Sequence, residues 1–154
     1  MNKLFALFLS VVVLGGFVCR AVGEEVPLKG DYAGQATGVP VDGGFLVTTV
    51  GGGNLTHLGK FAFVSPHFSG FDFSVVGEQI LTAANGDTVV GTFDSQLQPT
   101  PDGRFLSGEI EVTIVGGTGR FANATGSYKF SIIFEFATFK SIATIDGTID
   151  YAGD

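Results

Sequence analysis

The stretch Ile114-Val115-Gly116-Gly117-Thr118-Gly119-Arg120-Phe121-Ala122-Asn123-Ala124-Thr125-Gly126 joins the two clearest strand patterns in the chain. Apolar and polar residues alternate from Glu109 to Ile114 before it, and again from Tyr128 to Phe136 after it. Alternation with a period of two residues is typical of a β-strand with one buried face. We therefore predict a strand-turn-strand corner, in which the tight turn is allowed by Gly116, Gly117 and Gly119.

The rest of the chain repeats this pattern of strands and turns. Asn85-Gly86-Asp87 separates two apolar runs and predicts a β-hairpin, because Asn-Gly tolerates the positive φ angles of a type I′ turn. We also predict a loop at Gly38 to Gly44, a turn at Pro66 to Gly70 and a loose N-terminal arm over residues 24–29. About eight strands with no helical periodicity predict an all-β fold, namely an eight-stranded antiparallel barrel, with a two-sheet β-sandwich as the alternative.

The N-terminal residues predict a signal peptide. Lys3 precedes an apolar run from Leu4 to Val18, and Ala21-Val22-Gly23 offers the small residues that a signal peptidase reads. The run is shorter than the roughly 20 residues of a membrane-spanning helix, so we expect no stable membrane span. We predict a cleaved signal helix over residues 1–23, a single β-barrel domain over residues 24–154 and a secreted or periplasmic location. Lipid attachment through Cys19 is the alternative.

The composition excludes several classes of function. Without Lys3 and Arg20, the mature chain has six basic and fifteen acidic residues, so its formal charge is −9. An acidic surface repels phosphate groups, and we expect no nucleic-acid partner. The 16 Phe residues argue against a disordered chain, although glycine is abundant. The mature chain would contain no cysteine, so we predict neither a disulfide nor thiol chemistry.

The segment Gly117-Thr118-Gly119-Arg120-Phe121-Ala122 matches the dinucleotide-binding pattern G-x-G-x-x-A. That pattern requires a helix after the glycines, because the N-terminus of the helix holds the pyrophosphate. Too few residues lie between Gly119 and the next strand for such a helix, so we expect no cofactor. We predict instead that Phe121 plugs the end of the barrel and that Arg120 caps carbonyl groups or pairs with an acidic neighbour.

The same stretch carries a family resemblance. Val115-Gly116-Gly117-Thr118-Gly119-Arg120-Phe121, followed by Ala124, Gly126 and an aromatic strand, resembles a segment of the dirigent proteins and the allene oxide cyclase-like barrels. Thr56-His57-Leu58-Gly59-Lys60-Phe61 and Thr82-Ala83-Ala84-Asn85-Gly86-Asp87-Thr88 resemble segments of uncharacterised bacterial secreted proteins that share it. The resemblance implies an eight-stranded antiparallel barrel with a hydrophobic lumen, which in plant members holds a lipid epoxide or a phenolic radical. No catalytic residue of either plant activity matches a position here.

Candidate site residues follow from the predicted barrel. His57 and His67 lie ten residues apart, without the close spacing of a zinc site, so we expect no metal. Catalysis would require a titratable group in the lumen, and the candidates are His57, Glu78, Glu111 and Glu135. Glu111 and Glu135 alternate with apolar residues and face solvent unless the barrel is inverted. A hydrophobic ligand would contact aromatic residues that otherwise form a solid core, namely Phe61, Phe63, Phe93, Tyr128, Phe130 and Phe134.

These features favour a secreted barrel that binds a small hydrophobic molecule or serves as a structural or interaction module. The alternative is a cofactor-free isomerase or cyclase that acts on a hydrophobic substrate in the lumen. A cavity of about 300 Å³ or more would support a ligand, whereas a solid core would leave a structural role. The sequence leaves open whether the chain forms a homo-oligomer.

Overall fold

The computed structural model describes residues 23–151, which form an antiparallel β-barrel. The predicted signal helix lies outside the described residues. The nine strands are β1 (Glu25–Val41), β2 (Gly44–Leu55), β3 (Gly59–Gly70), β4 (Ser74–Ala83), β5 (Thr88–Gln96), β6 (Gln98–Pro99), β7 (Phe105–Gly117), β8 (Thr125–Glu135) and β9 (Lys140–Asp150). Among these residues no helix has the length and apolar character needed to span a bilayer.

Eight of the strands close the barrel. Each strand pairs with its neighbour in sequence except across the short β6, and the ring is completed by the β5–β7 and β1–β9 pairs. The two-residue β6 pairs with β7 beyond the end of β5 and prolongs the same side of the wall. The predicted eight-stranded antiparallel barrel is thus confirmed, and the two-sheet sandwich is not formed, because a closed ring leaves no sheet edges to separate.

β1 is longer than the sequence pattern predicted. The expected N-terminal arm belongs to this strand, because Glu25 already pairs with Asp150 of β9. The expected loop at Gly38 to Gly44 is also mostly strand, since Pro40 pairs with Phe45 across a short turn. Both predictions were wrong because pairing to neighbouring strands ordered segments whose composition resembles that of a loop.

The expected turn at Pro66 to Gly70 is wrong as well, since β3 continues to Gly70. A proline has no N–H to donate within a sheet, which normally confines it to an edge or an irregular position. The β3–β4 ladder is interrupted at Pro66, between the Val64–Ile80 and His67–Gly77 pairs. At this interruption the Ser65 hydroxyl donates to the Glu78 carbonyl over 2.7 Å.

The predicted hairpin at Asn85-Gly86-Asp87 is confirmed and connects β4 to β5. Its turn is not of type I′, because only Gly86 has a positive φ angle, of 91°, while Asn85 keeps a negative one. The Gly86 N–H donates to the Ala83 carbonyl over 2.9 Å, and the Ala83 N–H donates to the Asp87 carbonyl over 2.9 Å. This pattern is that of a type I turn followed by a glycine bulge.

The corner between β7 and β8 closes one end of the barrel, which we call the plugged end. Gly117 lies so close to β5 that a Cβ atom there would stand 1.8 Å from the Thr88 carbonyl oxygen. The Thr118 N–H donates to the same oxygen over 3.0 Å. A residue with a side chain at position 117 would therefore push the corner away from the barrel wall.

Phe121 occupies the plugged end and is 0% exposed. It follows Gly119, whose φ of 56° starts a short 3₁₀ turn. The guanidinium carbon of Arg120 lies 4.7 Å from the centroid of the Phe121 ring. Arg120 Nη2 also donates to the His57 carbonyl over 2.7 Å, which ties this corner to the β2–β3 turn.

Candidate functional site

A small cavity lies in the opposite half of the barrel, which we call the polar end. Its volume is about 90 Å³. Part of its wall is aromatic and is formed by Phe63, Phe93 and Phe134, while several polar side chains also face inward. Those polar residues are Thr49, Ser65, His67, Ser69, Gln79 and Ser141.

His67 lines this cavity from β3. Its Nδ1 lies 3.1 Å from the Ser65 carbonyl oxygen, which can only accept, so Nδ1 carries the hydrogen. Nε2 is then left with a lone pair and has no hydrogen-bond partner among residues 23–151. Burial lowers the pKa of His67, and the hydrogen bond to Ser65 opposes this shift only in part. The neutral imidazole is therefore the form that the site favours.

Gly77 makes room for the His67 side chain. The two residues are directly paired between β3 and β4. A Cβ atom at position 77 would stand 2.5 Å from the Cβ atom of His67, closer than such atoms approach in proteins. The imidazole ring lies near Phe93 of β5, with 5.9 Å between the ring centroids.

Two buried hydrogen bonds join polar groups in the lumen, one between β8 and β4 and one between the adjacent strands β1 and β9. The Tyr128 hydroxyl donates to Gln79 Oε1 over 3.0 Å, and the Tyr32 hydroxyl lies 3.2 Å from the Ser141 hydroxyl. Burial raises the pKa of both Tyr128 and Tyr32, so both phenols stay neutral. These pairs fix the orientation of Gln79 and Ser141 at the cavity wall.

The six aromatic residues that the sequence suggested for ligand contact all point into the barrel. Phe63, Phe93 and Phe134 line the cavity. The other three, Phe61, Tyr128 and Phe130, belong to the packed core and are each at most 4% exposed. The lumen is thus packed toward the plugged end and hollow toward the polar end.

The suggested catalytic residues do not meet in the lumen. Glu78 and Glu111 are exposed on the outer wall, and the Glu135 carboxylate accepts a hydrogen bond from Thr138 over 2.6 Å near the β8–β9 turn. His57 is exposed in the β2–β3 turn with a φ of 66°, and its Nδ1 lies 3.3 Å from the Tyr151 hydroxyl. None of these four residues lines the cavity.

His67 and Gln79 are the functional candidates that sequence reasoning did not find. His67 was placed in a turn, although Phe63, Ser65 and His67 continue one alternation through Pro66. Gln79 stands between Glu78 and Ile80 with nothing in the sequence to mark it as buried. A signal for His67 was available, since His67 follows Phe61 and Phe63 at an even spacing.

The charge of the site is as informative as its shape. The seventeen described residues that line the cavity include no Asp, Glu, Lys or Arg. Within residues 23–151 there is also no cluster of three or more His, Cys, Asp or Glu side chains that could hold a metal ion. The arrangement can therefore offer neutral hydrogen bonds beside aromatic surface, and a neutral histidine can accept a proton.

The closed barrel with one plugged end has the fold of the dirigent-like barrels, as the sequence resemblance implied. The pterocarpan synthase dirigent protein GePTS1 superposes with a TM-score of 0.62 at 17% identity, covering 98% of this chain and 100% of that chain. The pterocarpan synthase dirigent protein PsPTS1 superposes with a TM-score of 0.61 at 14% identity, covering 86% and 99%. At such identities the likeness establishes the fold and leaves the activity open.

Comparison with models of known protein families gives no match. No curated protein matches this chain in sequence either.

Proposed function

We propose that the protein binds a small, largely apolar molecule at the polar end of its lumen. The observation that carries this proposal is the cavity itself, where aromatic rings and incompletely bonded polar groups face one shared space. Ligand sites commonly combine an apolar wall with a few polar groups that orient the ligand. The dirigent-like fold is compatible with this role.

The volume limits what the cavity can hold. At about 90 Å³ it is well below the 300 Å³ or so at which drug-sized ligand sites begin. A large ligand could therefore insert only one part between Phe63, Phe93 and Phe134. We expect either a molecule of few heavy atoms or the terminal group of a longer one.

Purification of the mature chain from Glu24 onward, followed by native mass spectrometry, would identify bound small molecules. A matched pair of variants on β1 tests the location of binding. Ala36 lines the cavity, whereas Ala33 faces the outside of the barrel. Ala36→Leu should abolish binding because it fills the cavity, while Ala33→Leu should leave binding unchanged. Equal binding by both variants would contradict a site in the lumen.

Fewer side chains support the alternative of a cofactor-free isomerase or cyclase, because such an enzyme needs a titratable group in the lumen. The suggested carboxylates Glu78, Glu111 and Glu135 do not reach the cavity. Proton transfer in the lumen would depend on His67, whose Nε2 is free to accept. Loss of turnover in a His67→Phe variant that still binds ligand would favour this alternative over binding alone.

We also propose that the chain self-associates through its outer wall. Val50, Val64, Ile80 and Val90 form one row across four adjacent strands, because each is paired directly with the next. Val50 and Val64 are 49% and 42% exposed. Val64→Lys should convert an oligomer to a monomer in light scattering, whereas Ser131→Lys, on β8 at the opposite side of the barrel, should not. A wild-type chain that is monomeric at high concentration would contradict this proposal.

Finally, we propose that the mature protein acts outside the cytoplasm, either secreted or periplasmic. The apolar run from Leu4 to Val18 and the small residues before Glu24 support export. Expression of the full sequence should yield an exported chain whose N-terminus, read by mass spectrometry, is Glu24. An intact N-terminus, or a lipid on Cys19, would contradict cleavage at this position.

A further inference from the structure

Gln79 and His67 at the polar end each have hydrogen-bonding capacity that the protein does not use. Gln79 is 4% exposed, and its Oε1 accepts from Tyr128, but within residues 23–151 its Nε2 donates to no acceptor. Although Gln79 Nε2 has no acceptor, it keeps some solvent-accessible surface, so it borders open space. Because Gln79 lines the cavity, this open space is the cavity. A buried amide donor without an acceptor is costly unless a ligand or water meets it.

The second group is His67, whose free ring nitrogen lacks a hydrogen-bond donor rather than an acceptor. Its Nδ1–H is used by the Ser65 carbonyl, so Nε2 can only accept a hydrogen bond. His67 and Gln79 belong to adjacent strands, since His67 pairs with Gly77 and Gln79 follows two residues later on the same face. Diagonal neighbours of this kind have Cα atoms about 7–8 Å apart, within reach of two long side chains. The cavity thus carries a free donor on Gln79 and a free acceptor on His67, beside the Thr49 and Ser69 hydroxyls, which also form no hydrogen bond within residues 23–151.

The surroundings favour an uncharged occupant. No Asp, Glu, Lys or Arg is found among the described residues that line the cavity, so no opposite charge is available for an ion. An unpaired charge is expensive to bury, whereas a neutral polar group with both hydrogen bonds made is tolerated. The volume of about 90 Å³ corresponds to a group of only a few heavy atoms.

We infer that the polar end recognises an uncharged head group that accepts a hydrogen bond from Gln79 Nε2 and donates one to His67 Nε2. An alcohol or a primary carboxamide at the end of a short apolar chain has this chemistry. Carboxylates and ammonium groups of the same size are excluded. The inference rests on the proposed function, since it specifies which molecules the same cavity binds.

The test uses nuclear magnetic resonance on the mature chain labelled with nitrogen-15. Its two histidines give separable ring signals, and the free protein should show His67 as the Nδ1–H tautomer, a result that needs no variant. Butanamide, 1-butanol, butanoate and butylammonium are then titrated at neutral pH. Butanamide and 1-butanol should shift the His67 ring and Gln79 side-chain signals. Butanoate and butylammonium should bind at least tenfold more weakly.

Variants of the two histidines test the role of His67. His67→Phe should weaken butanamide at least tenfold, and the matched control His57→Ala, which alters the exposed histidine, should leave its affinity unchanged. Butanoate binding as tightly as butanamide, or an Nε2–H tautomer in the free protein, would overturn the inference while leaving lumen binding intact. If no probe shifts any lumen signal, and Ala36→Leu retains every small molecule found on the wild type, the proposed function fails with it.

Discussion

The two ends of the barrel are built from the same strands but differ in how their interior is filled. At the plugged end, Phe121 and Leu28 are 0% exposed and the lumen is filled by apolar side chains. At the polar end, Gln79 and Ser141 are 4% and 3% exposed and border a cavity. Tight apolar packing stabilises the fold, whereas buried polar groups beside empty space lower stability unless they are used. The plugged end therefore holds the barrel together, while the polar end is the part that we propose for ligand binding.

The strongest challenge to this comparison is removal of the plug. Phe121→Ala should lower the free energy of unfolding by about 3–5 kcal/mol, because it leaves a cavity where no solvent reaches. Denaturant unfolding monitored by circular dichroism measures this loss. Phe139→Ala is the control, since Phe139 is 55% exposed and its loss should change stability by less than about 0.5 kcal/mol. A similar effect for both variants would show that the plugged end is not the stabilising one.

A smaller effect is expected from crowding the polar end. Gly77→Ala should lower the free energy of unfolding by about 1–3 kcal/mol and displace His67, because the new methyl group meets the His67 Cβ atom at 2.5 Å. Gly38→Ala is the matched strand control, since its methyl group would find its nearest neighbour at 3.5 Å. The His67 ring signals should move in Gly77→Ala and stay in place in Gly38→Ala. Unchanged His67 signals in Gly77→Ala would contradict the close packing described here.

The polar contacts themselves should contribute less. Gln79→Leu leaves the buried Tyr128 hydroxyl without its acceptor, which should cost about 1–2 kcal/mol. Adding Tyr128→Phe removes the unpaired hydroxyl, so the double variant should regain part of that loss. A double-mutant cycle from four unfolding curves isolates this coupling. Strictly additive losses would mean that the Tyr128–Gln79 hydrogen bond has no net effect on stability.

The smallest effect is expected from protonation of His67. Burial lowers its pKa in the folded chain, so as the pH falls below about 6.5 the unfolded chain binds the proton first. Stability present above that pH is therefore lost as the pH falls toward the folded pKa. Unfolding curves between pH 7.5 and 5 should show a steeper decline for wild type than for His67→Phe. Equal slopes for wild type and His67→Phe would exclude His67 as the cause.

The sequence was most informative where inward residues are apolar. Alternation of Tyr128, Phe130 and Ile132 with polar neighbours predicted β8, and the Asn85-Gly86 pair located a hairpin. Both signals are local, because a period of two residues and a turn motif are read within one short segment. The eight-stranded barrel then followed from the number of such strands and from the family resemblance.

The polar end could not be predicted in the same way, because there some outward residues are apolar and some inward residues are polar. On β3 the outward Val64 is 42% exposed while the inward Ser65 is 2% exposed. A rule that places apolar residues inside assigns such a segment to the wrong face or to a turn. Pro66 also favoured the wrong prediction of a turn, because a proline is tolerated in this strand only at a gap in the β3–β4 ladder. That gap cannot be seen from the sequence of β3 alone. The cavity and the free amide of Gln79 exist only after strands distant in sequence have come together, because Tyr128 of β8 holds the amide of Gln79 on β4.

The pairing of β1 with β9 has a consequence for the order in which the molecule can form. These strands are joined from Glu25–Asp150 to Gln35–Lys140, so the N-terminal strand finds one of its two partners only near the end of the chain. Contacts this distant in sequence slow folding, because a long loop must close before they contribute. Until β9 is available, one side of β1 presents unpaired backbone groups that other chains can bind. A nascent or truncated chain should thus aggregate most readily through its first strand, and completion of the barrel is also the step that removes this risk.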